Sequence, residues 1–195
     1  MDARYLQATT VLPHQNKVCG RTLRPFCLRH RVAMEAIKSP FLTPENKNFR
    51  PIDVIIAVRI METYDKSKVG YSFQYIDKVW LLYLTLNNKA FSRAVGTILG
   101  IIMTSCSYPK MWKKEEKEHQ VENVPWVLSC ISNLVRNGVS YEDAWTMPEG
   151  EAVWMSIANA IYNGAKIDIL STDEEAELEK FNERVENYKK RMNHN

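Results

Sequence analysis

The stretch Asn123–Lys166, NVPWVLSCISNLVRNGVSYEDAWTMPEGEAVWMSIANAIYNGAK, carries the densest punctuation in the chain and reads as a helical hairpin around which the other helices pack. Asn123 offers a side-chain oxygen to a free backbone N–H, and Pro125 stands in the first turn, where its missing donor costs nothing. Val127, Leu128, Ile131, Leu134 and Val135 recur at helical spacing, and Gly138 supplies the left-handed residue that ends the helix. Ser140 with Asp143 approximates a capping box for a short turn through Trp145, which Met147-Pro148 breaks. A second helix starts at that proline, with Val153, Trp154, Ile157, Ala158 and Ile161 expected on its buried face and Gly164 closing it.

Upstream, Thr9-Thr10-Val11-Leu12 is strand-like and Pro13 ends it, while Val18–Phe26 is either an extended arm or one strand of a hairpin. A helix is expected from about Cys27 to Lys38, with Leu28, Val32, Ala36 and Ile37 inward and Ser39-Pro40 as its stop. Pro51 opens a helix through Tyr64 that is apolar nearly all round, broken only by Asp53, Arg59 and Glu62, and such a helix belongs at the centre of a domain. Ser72 caps the next, where Phe73, Ile76, Val79, Trp80, Tyr83 and Leu84 recur at helical spacing. That aromatic stripe is read as core packing in preference to a stacking platform for bases. Ala90–Ser105 is also helical, and Gly96 with Gly100 marks a close helix crossing. Lys110–Glu122 alternates charge blocks around an isolated Trp112, and residues 107–122 form the candidate internal boundary.

After Gly164, Ile167–Leu170 is a short strand or a tether. Ser171 and Glu174 then make a capping box for an amphipathic helix whose seam is Leu178, Phe181, Val185, Tyr188 and Met192. The fold expected is all-α, a bundle of about seven helices with a short N-terminal β-hairpin or arm: a helical domain over 1–170 and an amphipathic helix over 171–195.

Composition narrows the chemistry. The 195 residues, 45% hydrophobic and 25% charged, suffice for a substantial core. Cys19, Cys27, Cys106 and Cys130 form no CxxC pair and have no histidine at ligand spacing, so reduced thiols are expected and no metal. Met1–Gln15 lacks the apolar core of a signal peptide, and Thr97–Met103, the longest apolar run, is far short of the roughly 20 residues of a membrane span. The net charge of +3 conceals a basic head, with nine Lys and Arg against three Asp and Glu in residues 1–50, and an acidic tail, with five against eight in 168–195. Arg21, Arg24, Arg29 and Arg31 concentrate the basic charge and are the candidates for nucleic-acid contact.

No phosphate loop, nucleophile elbow, zinc motif or paired histidines occur; His14, His30, His119 and His194 are scattered. Asp53, Glu62 and Asp77 are the acids most able to gather in space. Expected catalytic residues, metals and cofactors are therefore none.

Three segments, LRPFCLRHRVAMEAIKSPFL, RPIDVIIAVRIME and YEDAWTMPEGEAVWMSIANAIYNGA, occur in an order that resembles the tail assembly chaperones of tailed bacteriophages and other small helical virion-morphogenesis proteins. The resemblance implies a non-enzymatic helical protein that binds apolar helices of the tape measure protein in the host bacterial cytoplasm, with no membrane partner. The partner-binding candidates are Leu178, Phe181, Val185, Tyr188, Met192 and Trp112. The acidic C-terminal helix departs from the pattern and leaves open a homo-oligomeric structural component of the virion; the basic segment 21–31 separately leaves open a helical nucleic-acid-binding protein.

Overall fold

A computed structural model describes residues 2–9, 16–43, 48–66, 68, 74–111 and 124–192. Its centre is the nearly all-apolar helix α3, Pro51–Met61, flanked by α2 (Leu28–Ala36), α4 (Tyr75–Leu86) and α5 (Asn88–Ser105). Proline sets the first turn of α3, and the Asp53 carboxylate accepts from the Arg50 backbone N–H at 2.9 Å. Val54, Ile55, Ala57, Val58, Ile60 and Met61 are all buried, because no side of this helix is polar enough to face water. A two-residue hairpin, β1 (Lys17–Val18) with β2 (Arg21–Thr22), turns through Cys19 and Gly20, both at positive φ. It delivers Leu23 and Phe26 into the core around α3.

A second, smaller cluster joins α6 (Trp126–Arg136), α7 (Tyr141–Thr146) and α8 (Glu149–Tyr162). Its buried residues are Val127, Cys130, Ile131, Leu134, Ala144 and Ala152, with Leu28 of α2 reaching in. Gly138 and Gly164 end α6 and α8 at φ +93° and +91°, and the Ser140 hydroxyl caps α7 by accepting from Asp143 N–H at 3.1 Å. Helix α1, Ala3–Thr9, lies against α5 and α8. Gly150 is where these elements come closest. A Cβ there would stand 2.8 Å from both the Ala8 Cβ and the Ser105 carbonyl oxygen, so Gly150→Ala is expected to cost about 1–3 kcal/mol in urea unfolding. An unchanged midpoint would show that α8 can back away from both α1 and the end of α5 at no cost.

The all-α reading holds, with nine α-helices and one minimal hairpin among the described residues. Several local expectations are corrected. The 123–166 hairpin is not the organiser; α3 is, since the larger core cluster gathers around this helix, apolar on every side, while the hairpin holds the smaller one. Thr9 ends α1 and is not in a strand, while residues 10–15 lie outside the described residues, as do Ser72, Phe73, Asn123 and His119. Leu128, Val135 and Ile161 are exposed, and the buried side of α8 is its first turn, Glu149, Gly150 and Ala152. Gly96 and Gly100 have nothing within 4 Å of a built Cβ, so no helix of the described residues crosses there.

Candidate partner-binding surface

Helix α9, Thr172–Met192, begins at the capping box read from the sequence: the Ser171 backbone N–H donates to Glu174 at 2.8 Å, and Glu174 N–H donates to Ser171 Oγ at 3.2 Å. Among the described residues its ion pairs to the body lie at its start, next to a backbone bridge. Glu175 pairs with Arg4 at 3.1 Å and with Lys110, Glu179 approaches Lys110 at 3.8 Å, and a lone bridge joins Met111 to Ile169. Beyond that turn the described seam is open only at Phe181, which is 61% exposed; Leu178 and Val185 are half-buried. The side chains of Tyr188 and Met192, and all of Trp112, lie outside the described residues.

A larger apolar face stands on α4, where the sequence placed core. Asp77 and Leu84 face inward, and Trp80 is half-buried against Tyr83. Tyr75, Ile76, Val79, Leu82, Tyr83 and Leu86 face out, with Tyr75 at 82%, Leu82 at 61% and Leu86 at 78% exposure. They recur at 3-4 spacing along one helix, and single scattered apolar residues do not make such a row. Sequence reasoning missed Leu82 and Leu86 because α4 is apolar enough on both sides that periodicity cannot say which one is inward. What settles it is Asp77, which must face Arg21 and Arg59.

The basic segment is largely neutralised. Arg21 pairs with Glu62 and, at 3.3 Å, with Asp77; Arg59 bonds Glu62 at 2.7 Å and stands 3.5 Å from Asp77. The acids Glu62 and Asp77 thus do gather, but around two guanidinium groups. Asp53 is engaged apart from them by Arg50. Arg29 forms a fork onto Glu142 at 2.6 and 2.9 Å, which holds that carboxyl below its ordinary range. Arg24 lies over the Tyr64 ring at 5.7 Å. Arg31 reaches inward. Three of the four arginines therefore spend their charge on carboxylates, and the four do not form one open basic face.

Arg31 makes the joint between the two core clusters. Its Nε donates to Glu149 at 2.6 Å, Tyr108 Oη donates to the other oxygen of Glu149, and Phe26 and Trp126 rings flank the guanidinium at 5.7 and 5.5 Å. Glu149 is fully buried at the start of α8, where its backbone N–H also donates to Phe26 at 2.9 Å. Burial raises its carboxyl pKa while Arg31 opposes the rise. Close by, His30 is fully buried, donates from Nε2 to the Thr63 carbonyl at 2.9 Å and stacks on Tyr64, with Nδ1 making no hydrogen bond. Burial pushes this imidazole down to about 4, so it is neutral.

All four cysteines are free thiols, Cys27 and Cys130 buried, and burial raises the pKa of each. Among the described residues no three His, Cys, Asp or Glu stand together as a metal set, and no helix is long and apolar enough to cross a membrane. Comparison with protein-family models, curated proteins and solved structures finds no match to this chain.

Proposed function

We propose that this protein is a non-enzymatic assembly factor that covers an apolar helix of another polypeptide, and that its client is the tape measure protein of a tailed phage or prophage. The observation that carries the reading is the outward apolar row on α4: six large side chains at helical spacing, exposed on a helix firmly held by α3 and α5. An amphipathic client helix laid along it would match anchors at i, i+3, i+4 and i+7. The client class comes from the resemblance of the three sequence segments to tail assembly chaperones. No observation favours the nucleic-acid alternative, since Arg21, Arg29 and Arg31 are already paired with acids.

The test is co-expression with a helical tape-measure segment that precipitates when made alone. The wild-type chain is expected to keep it soluble and to co-purify with it. Leu82→Glu with Leu86→Glu, at two exposed positions where folding is little affected, is expected to lower the co-purified client roughly thirtyfold or more, the effect of losing hot-spot side chains. A client that precipitates regardless, or that is retained equally by the double variant, would rule the proposal out.

A further inference from the structure

Among the described residues, α4 carries an uncovered apolar row and α9 a half-covered one centred on Phe181, and the two are complementary in spacing and in charge. On α9 the row is Leu178, Phe181 and Val185, a 3-4 step. On α4, Ile76, Val79, Tyr83 and Leu86 run 3-4-3, widened by Tyr75 and Leu82. Helices carrying such rows pack side by side with knobs of one entering holes of the other.

The charges beside the two rows have opposite sign. Along its whole length α9 bears seven acids against Lys180, Arg184, Lys189, Lys190 and Arg191; the acids crowd its first four turns, beside Leu178 to Val185, where Glu175 and Glu179 are met by Arg4 and Lys110 and Asp173, Glu174, Glu177, Glu183 and Glu186 remain. Exposed charges on α4 and α5 are Lys78, Lys89 and Arg93; the one acid, Asp77, is buried and paired with Arg21 and Arg59. Two α9 helices side by side in parallel would repel one another, and so would two α4–α5 faces, whereas the acidic first half of α9 against α4 attracts.

Within one molecule, among the described residues, α9 is tied to the body at its first turn. Glu175 ties the first turn of α9 to Arg4 and Lys110, and the helix then runs on for 21 residues in all, about 31 Å, with Phe181 still open. We infer that α9 of one copy docks in the α4 row of a second copy, so that the free protein self-associates through a heterologous helix–helix contact. The inference is independent of the client proposed above, although a client helix on the α4 row would compete with the neighbour's α9.

Light scattering of the purified full chain, without client, reads the contact directly. The expected mass is a multiple of the 22.7 kDa chain, falling as salt is raised because the flanking attraction is screened. Phe181→Glu and, separately, Leu82→Glu with Leu86→Glu should each return the mass to a monomer, with circular dichroism confirming retained helix. Mixing the two variants should restore association, since each then supplies the partner surface that the other lacks. A monomeric wild type overturns the inference. So does loss of association with only one variant, which would point to like-with-like pairing, and so does a mixture that stays monomeric. Client capture is measured in a separate assay, so a failure here leaves that proposal standing.

Discussion

Glu149→Ala is expected to destabilise the protein by about 3–5 kcal/mol, the cost of leaving one member of a buried ion pair without its partner. Arg31 is held between Phe26 and Trp126 with its side chain only 17% exposed, and Tyr108 would lose its acceptor at the same time. Among the described residues, the other carboxylate paired with Arg31 is that of Glu35, an exposed neighbour at 3.4 Å. Urea unfolding of the single variants and of Glu149→Ala combined with Arg31→Met measures this. The double variant should recover much of the loss, because removing both charges leaves no orphan. A loss below about 1 kcal/mol in Glu149→Ala would mean that Arg31 swings out to water, and that Glu149 does not join the two core clusters. Glu149→Gln should fall between, keeping an acceptor for Arg31 and losing the charge.

Acidification is expected to cost stability through His30 between its unfolded value near 6.5 and its folded value of about 4. In that window the unfolded chain takes up a proton and the folded chain does not, so stability falls as pH drops. Across the whole window the loss is about 3 kcal/mol, with none above pH 6.5 and levelling below 4. The cause is burial first, and the neighbouring Arg29 charge adds to it, while the bond to Thr63 resists. Glu149 runs the other way, since its raised carboxyl pKa lets the folded state take up a proton earlier than the unfolded chain. His30→Gln isolates the histidine, for its amide can still donate to the Thr63 carbonyl. The stability gap between wild type and His30→Gln should narrow by about 3 kcal/mol from pH 7 to pH 4. A gap that does not change with pH would show that the imidazole titrates as if in water.

Local signals in the chain decided the helices themselves. Pro51 with Asp53, Ser140 with Asp143, Ser171 with Glu174, and the glycines 138 and 164 act within one turn of backbone, so their effect is the same whatever packs around them. The central place of α3 was legible for a related reason: a helix apolar on every side has only one kind of environment to occupy. Orientation was another matter. On α4 and α6 more apolar positions exist than one neighbour can cover, and which of them remained outside depended on partners far away in sequence. Asp77 turned α4 toward Arg21 and Arg59, and Leu134 and Val127 turned α6 toward Ala152. The joint of Arg31, Tyr108 and Glu149 was invisible for the same reason, since an acid after a proline at a helix start looks like an ordinary match to the helix dipole. Sequence therefore determined where the chain coils and where it stops. Only the tertiary structure decided which apolar rows are consumed and which, like that of α4, remain open, because burial is a property of pairs of surfaces and no single segment contains both.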